Sequence, residues 1–422
     1  MRTLPNLLVE RAGSTPTDVA VRRFALGAWQ ETTWSELLAQ AAAIGTGLTT
    51  LGVGRGDVVA LMLGGGPEWF AAEIGATGIG AIVLALDDDL SPTVVCSALR
   101  SHSVVAALVR DEEQFDKIAG SRADLDDLRF LAVVDTRGMR SLDAPDHDDS
   151  HELSLARLQG RGTSVETWQA SARSSADDDG AVILTAVRDG SLTMMRLTHR
   201  EAIAQGESIA GQLGLGPSDV LYSMNGFAEP NEHALELVGS LLHGATVHFG
   251  ENGLQAQGLR QVQPTVLVAR PSWVGALSAG VAERAAAARG VKAVALGRGL
   301  VRRPPSSTVR TSRRANPTRV AALVALAAVL VLFLVWPSGN DVARICIAFA
   351  IAVVTAIGLV VGGQTAVGPL RRQLGLSRCR GVIVTESDPT GSDLLGGLDV
   401  PVITTPVATS ALLDHVASEA LA

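Results

Sequence analysis

Lysine is nearly missing from this sequence. Lys117 and Lys292 are its two occurrences in 422 residues, so arginine carries almost all of the positive charge. Cysteine is also scarce. Cys96, Cys346 and Cys379 show no paired spacing, which speaks against both a disulfide framework and a cysteine-built zinc site. Tyr222 is the one tyrosine. Positive charge falls short of negative, and a net charge of −8 argues against nucleic acid as a partner. The first residues, MRTLPNLLVERA, form an amphipathic start without the apolar run of an export signal. Apolar residues are abundant instead. The mean hydropathy of +0.27 is high for a soluble chain, and one region explains it.

That region holds two apolar runs. Val320 to Trp336 carries no charge, and its one polar group is the terminal indole N–H; Ile345 to Val361 is broken only by Thr355 and Gly358. The turn cluster Pro337-Ser338-Gly339-Asn340-Asp341 lies between them. Each run approaches the ~20 residues that cross a bilayer core, and two in tandem predict a transmembrane hairpin over 320–363 rather than a buried core helix. Arg302, Arg303, Arg310, Arg313, Arg314 and Arg319 precede the first run, and Arg371, Arg372, Arg378 and Arg380 follow the second. The connection offers only Arg344, so both ends are expected in the cytoplasm. The basic linker over 301–319 suits anionic lipid headgroups. Without interleaved aromatic residues it suits nucleic acid poorly.

The rest reads as alternating helices and strands. Leu4 to Ala12 predicts a helix with Leu7, Leu8 and Ala12 on one face. Val19 to Phe24 and Trp29 to Thr32 predict a hairpin around Gly27. Thr33 and Glu36 predict a capping box opening a long helix that Gly52-Val53-Gly54 ends. Val58 to Leu63 and Ala81 to Leu86 predict buried strands, with a helix from Pro67 between them. Ser141 to Asp179 is polar and aperiodic, and predicts a solvated loop. Its acidic runs, Asp146 to Asp149 and Asp177 to Asp179, and its His147 and His151 read as solvated groups rather than metal ligands.

The stretch that decides the functional reading is Ala181 to His199, AVILTAVRDGSLTMMRLTH. A buried strand leads to a turn at Asp189-Gly190, then a polar segment leads to a helix from His199. Strand, glycine turn and helix is the layout of a phosphate cradle. The chemistry of a cradle is absent: there is one glycine, and no lysine.

Layout and flanks resemble the AMP-forming acyl-CoA synthetase, or adenylate-forming ligase, family, whose loop reads roughly T-S-G-T-T-G-x-P-K-G-V-x-x-T-H. Thr185, Gly190, Leu197, Thr198 and His199 fit it. The loop's other glycines fall on Val187 and Met194, its hydroxyl pair on Arg188 and Asp189, and its lysine on Thr193. Upstream, the resemblance is carried by T-W-S-E-L at Thr33 to Leu37, L-G-V-G-R-G-D-V-V-A at Leu51 to Ala60, P-E-W at Pro67 to Trp69, L-S-P at Leu90 to Pro92 and D-E-E-Q at Asp111 to Gln114. Downstream, Glu232 fits a family glutamate, whereas Glu229 stands at a family histidine. The P-T-V run from Pro264, the tryptophan Trp273 and P-L-R-x-x-L-G-L at Pro369 to Leu376 also fit.

The resemblance implies an α/β fold: adenylate-forming ligase-like N-terminal subdomains with stacked α/β sheets, interrupted by the two-helix hairpin. The parts would be 1–300, the linker 301–319, the hairpin 320–363 and a final ligase-like part 364–422. Thr185, Gly190 and Thr198 would be a vestigial phosphate loop. The turn expected at adenine reads Thr385-Glu386-Ser387-Asp388-Pro389. Ala408 stands where the resemblance implies a magnesium-binding glutamate, and the stacking tyrosine has no counterpart. Neither the ribose-binding aspartate nor the later domain with the catalytic lysine is matched. The expectation is a membrane-anchored pseudoenzyme with no catalytic or metal residues and no cofactor. Its partners would be the membrane, a protein of lipid or envelope metabolism and an acyl lipid. The alternative is a divergent long-chain fatty acid–CoA ligase completed by a partner chain, which would need ATP, magnesium and CoA.

Overall fold

In the computed structural model the described residues are 2–139, 142, 151–162, 164–174, 182–188, 191–224, 226–251, 254–269, 273–277, 279, 283, 370–384, 395, 398, 400 and 402–404. The chain divides into two compact units, one of Met1–Val268 with Thr405–Ala422 and one of Ala269–Thr404. The predicted membrane hairpin, 320–363, lies outside the described residues, as do the linker over 301–319, the residues 385–389 and Ala408. Among the described residues no helix is long and apolar enough to cross a membrane.

The first unit starts with α1 (Leu4–Ser14), the hairpin β1 (Val19–Ala25) and β2 (Ala28–Thr33), and α2 (Trp34–Thr50). The predicted capping box is present. Thr33 Oγ1 accepts from the Glu36 N–H at 3.3 Å, and the Glu36 carboxylate accepts from the Thr33 N–H at 2.8 Å. A doubly wound region follows: β3 (Val58–Met62), α3 (Pro67–Gly78), β4 (Ile82–Ala85), α4 (Pro92–Ser101), β5 (Val104–Val109), α5 (Glu112–Ala119), β6 (Phe130–Val133), β7 (Glu152–Ser154), α6 (Leu155–Gly160) and α7 (Val165–Arg173). Next come β8 (Val182–Arg188), β9 (Ser191–Leu197), α8 (His199–Leu213) and β10 (Val220–Ser223). The segment after β10 is α9 (Pro230–Glu232), a π-helical stretch His233–Gly239 and α10 (Ser240–His243). The unit closes with β11 (Thr246–Phe249), α11 (Gln255–Val262) and β12 (Val266–Ala269).

Two sheets organise this unit. One runs β7-β6-β5-β3-β4-β8-β9, parallel except for the antiparallel β8–β9 pair. In the other, the order within the unit is β12-β10-β11-β1-β2, with only β1–β2 antiparallel. The parallel strands β3 to β6 read as continuous apolar runs because both faces are covered. On one face Leu84, Val95, Leu99, Phe115 and Leu131 pack into a single cluster. Trp69 and Phe70 of α3, Phe227, and Phe249 of β11 form an edge-to-face aromatic cluster, with centroids 5.6 to 6.2 Å apart. The second unit contributes the parallel pair β13 (Gly381–Val384) and β14 (Val402–Thr404).

Two expectations need correction. The region 141–179 is not a continuous solvated loop, since it contains β7, α6 and α7. Each of these elements is short and buries only a few apolar residues: Leu153, Leu155, Leu158, Trp168 and Ala172. That is too few to show a period. Its acidic runs and His147 lie outside the described residues, and His151 is exposed, its ring against the Arg129 carbonyl at 3.1 Å. The second correction concerns Ser191–Leu197, which is a strand and not a polar connection.

Candidate functional site

The expected phosphate loop is a β-hairpin. Antiparallel pairing runs from Val182↔Leu197 through Thr185↔Met194, Ala186↔Thr193 and Val187↔Leu192 to Arg188↔Ser191. Only Asp189 and Gly190 remain between the last paired positions, and both lie outside the described residues. Asp-Gly is a favoured two-residue connection between antiparallel strands. A phosphate cradle instead needs successive backbone N–H groups converging on one point. Here the positions on either side of the connection are laid into a ladder.

The matched side chains are committed to the fold. Thr185 is buried, and its hydroxyl donates to the Ala85 carbonyl at the end of β4 at 2.7 Å. Its N–H donates to the Ala228 carbonyl at 3.1 Å. Thr193, at the lysine position, donates its hydroxyl across the hairpin to the Ala186 carbonyl at 2.9 Å. Thr198 is the N-cap of α8, in a capping box with Glu201: its Oγ1 accepts from the Glu201 N–H at 3.3 Å, and its own N–H donates to the Glu201 carboxylate at 2.8 Å. His199 is buried, and its Nδ1 accepts from the Leu4 N–H at 3.4 Å. The T-x-x-E pattern at Thr198 to Glu201 was available from sequence as a helix start. In the described hairpin the hydroxyls of Thr185, Thr193 and Thr198 are thus held by contacts within the fold. Among the described residues, no group of three or more His, Cys, Asp or Glu is placed to hold a metal ion.

A second candidate is the switch point of the doubly wound sheet. In such sheets ligands bind beyond the carboxyl ends of the strands where the winding reverses, here between β3 and β5. Charged groups of the chain stand at that end of the sheet. Arg110, just after β5, pairs with Asp88, after β4, and with Asp111 at 2.8 Å. Lys117 donates to the Asp88 carbonyl at 2.6 Å. Gly64 lies so close to this pair that a Cβ there would sit 2.7 Å from Asp88 Oδ2. On its other side Gly226 approaches until a Cβ would be 2.6 Å from the Gly64 carbonyl oxygen. Burial pushes the Asp88 carboxyl up to about 6, against the opposing pull of Arg110.

Sequence reasoning missed a buried polar network. Glu73, in the middle of α3, is fully buried. One carboxylate oxygen accepts from the Trp69 indole at 3.0 Å, and the other lies 2.7 Å from His233 Nε2 on the π-helical stretch. Glu232, at the family glutamate position, is buried beside His233, and Glu229 is the N-cap of α9. The signal was a lone charge within F-A-A-E-I-G-A, one helical turn after Trp69.

Comparison with known proteins supports the same fold. A profile described as AMP-binding enzyme matches residues 8–324, well over half of the chain. Long chain acyl-CoA synthetase 7, peroxisomal, of Arabidopsis thaliana is 25% identical over 235 residues, covering 53% of this chain and 31% of that protein. An uncharacterized protein of Mycobacterium tuberculosis is 28% identical over 106 residues, which is 25% of this chain and 59% of that one. Among solved structures, an anthranilate CoA ligase in complex with anthranoyl-AMP aligns with a TM-score of 0.59 at 14% identity, over 96% of this chain and 58% of its own. A long-chain-fatty-acid-CoA ligase from Archaeoglobus fulgidus gives 0.55 at 14% identity, over 66% and 53%. The chain thus spans less than two thirds of the length of each of these relatives. Profile match, sheet order and scaffold motifs agree, and the chain belongs to the AMP-binding enzyme family, with the α/β fold of the adenylate-forming ligases.

Proposed function

We propose that this chain is a membrane-anchored, acyl-CoA synthetase-like pseudoenzyme, acting at the cytoplasmic face as a scaffold or accessory subunit in lipid or envelope metabolism. The observation that carries the reading is the hairpin: Thr185, Thr193 and Thr198 spend their hydroxyls on the fold, and backbone pairing runs up to Arg188↔Ser191. Adenylation depends on neutralising charge on the transferring phosphate, and each such contact typically supplies ~3 kcal/mol of transition-state stabilisation. With lysine, glycines and hydroxyl pair replaced together, the purified chain should form no acyl-adenylate and release no pyrophosphate from ATP with any fatty acid offered. ATP-dependent acyl-adenylate formation by this chain alone would falsify the reading. Anchoring rests on the apolar runs Val320 to Trp336 and Ile345 to Val361 and on the arginines flanking them.

The second reading is a divergent long-chain fatty acid–CoA ligase completed by a partner chain. The Arabidopsis relative, named as a long chain acyl-CoA synthetase, favours it. On that reading a co-purifying polypeptide supplies the catalytic lysine, and acyl-CoA formation from ATP, magnesium and CoA appears only in the mixture. Purification without such a polypeptide, or a mixture that stays inactive, leaves the pseudoenzyme.

A further inference from the structure

The connection between β1 and β2 is unusual. Six consecutive residues, Phe24-Ala25-Leu26-Gly27-Ala28-Trp29, carry no charge, and the only polar side-chain atom among them is the Trp29 indole nitrogen. Ala25 pairs with Ala28, so Leu26 and Gly27 form a two-residue turn. Both have positive φ, +53° at Leu26 and +81° at Gly27. That geometry favours Asn-Gly or Gly-Gly, and a leucine in the left-handed region is disfavoured by its Cβ. Leu26 is also 93% exposed, the most exposed large apolar side chain among the described residues. The fold thus holds a bulky apolar group in a strained backbone and presents it to the outside. Strain of this kind is kept where it has a use.

Aromatic contacts brace the finger. Phe24 and Trp29 meet edge-to-face at 5.3 Å, and Trp29 meets His248 of β11 edge-to-face at 5.3 Å. Its base is electrically compensated, Arg22 pairing with Glu31 at 2.5 Å and Arg23 with Glu68 at 2.6 Å. An anionic surface would need free cations, which the paired arginines at the base do not offer. An apolar tip with Trp and Phe at its base, on a chain that also carries two bilayer-length apolar runs, fits the boundary between headgroups and acyl chains.

From this we infer that the β1–β2 finger is a second membrane contact, in which Leu26 dips into the neutral interfacial region of the bilayer while Phe24 and Trp29 sit at headgroup depth. Two residues of strand give the tip a reach of roughly 7 Å beyond the aromatic pair. One leucine binds too weakly to anchor a protein, so the finger orients a domain that is already tethered. The inference rests on the membrane-anchored reading proposed above.

The test uses the full chain with Leu26→Cys in a Cys346→Ser background, since Cys96 and Cys379 are buried. The thiol introduced at position 26 is labelled with an environment-sensitive fluorophore, and the protein is reconstituted in phosphatidylcholine vesicles. A matched label at Ser101→Cys, at the exposed end of α4, serves as control. We expect a blue shift and quenching by shallow nitroxide lipids at residue 26 and not at residue 101, unchanged by high salt or by added anionic lipid. Water-like emission at residue 26 in protein that floats with the vesicles would overturn the finger and leave the anchoring intact. Protein that does not float removes the anchoring and the finger together. A blue shift that requires anionic lipid overturns the neutral-interface assignment. Leu26→Asn supplies the second readout, because it restores Asn-Gly to the turn. It should raise the melting temperature while flotation persists; a lowered melting temperature would mean that Leu26 serves folding, and the proposal falls.

Discussion

At Asp88 and His248, burial works on two titratable groups with opposite consequences for stability. Asp88 is raised to about 6 by burial, from an ordinary value near 3.8. The folded state therefore holds its proton more tightly than the unfolded chain, and stability from this group falls as pH rises from 3.8 to 6. His248 is lowered to about 4 from 6.5, again by burial, with Arg22 adding to it. Here the unfolded chain binds the proton more tightly, so stability rises with pH from 4 to 6.5. The windows overlap and the slopes oppose, each integrating to at most ~3 kcal/mol. Relative to the wild type, Asp88→Asn should gain stability as pH rises from about 4 to 6, and His248→Phe should lose it from about 4 to 6.5. Urea denaturation at half-unit pH steps reads both, and parallel profiles for the three proteins would show that neither group titrates as described. Glu73 is a different kind of residue. Trp69 and His233 satisfy its carboxylate in a site with no exposure, so Glu73→Ala strands a buried imidazole and an indole N–H. Leaving those two buried groups without their partner should cost about 1–3 kcal/mol each, measured as a shift of the denaturation midpoint at unchanged slope.

Among the elements, α2 and α3 cross through glycine. A Cβ on Gly75 would lie 2.5 Å from the Ala41 carbonyl oxygen, and one on Gly45 would lie 2.4 Å from that of Gly75. The Trp168 indole donates to the same Gly75 carbonyl at 3.0 Å, so α7 locks the crossing from the side. Neighbouring backbone cannot yield like a flexible side chain, and Gly75→Ala should destabilise by about 1–3 kcal/mol, seen as a lower melting temperature. Scaffold elements of this sort were legible in the sequence because caps, turns and apolar periods are local: Thr33 with Glu36 is one case, and the strands at Val58 and Ala81 are others. The hairpin β8–β9 was not: Met194 and Met195 are adjacent and Arg196 shares the period-2 face of Leu192 and Met194, so no clean alternation marks a strand. The pair Glu73–His233 was illegible for another reason. Its partners are 160 residues apart and meet only once the fold is made. The same hairpin yields a prediction about catalysis. Thr193→Lys returns the family's lysine to its position, yet the strand pairing, Val187 and Met194 remain. This variant should still form no acyl-adenylate, and pyrophosphate release restored by that change alone would mean that the site is one substitution from competence.

For the whole molecule, the proposed anchoring makes a demand that can be measured apart from activity. At 1.5 Å per residue, Val320 to Trp336 would reach roughly 26 Å as a helix, just short of a ~30 Å hydrocarbon core, and Trp336 would fall at its boundary. The connection is limited to the turn cluster from Pro337 to Asp341 and the few residues around Arg344, so two crossings would bring the chain back to the side it left. On the proposed reading, the arginines of 302–319 and 371–380 would put that side in the cytoplasm. Single cysteines at Ser338 and at Ser101 separate the possibilities in intact cells and in lysates. A membrane-impermeant thiol reagent added outside should reach residue 338 alone, and residue 101 only after lysis. Labelling of both from outside, or of neither, would contradict a two-pass hairpin of this orientation. Resistance of the membrane-bound chain to alkaline carbonate distinguishes insertion from adsorption through the basic linker, since adsorption is electrostatic and is lost with high pH and salt. The chain should stay with the membrane, and Ala327→Arg with Ala352→Arg, which place charge at the centre of both runs, should release it to the soluble fraction with its α/β units still folded.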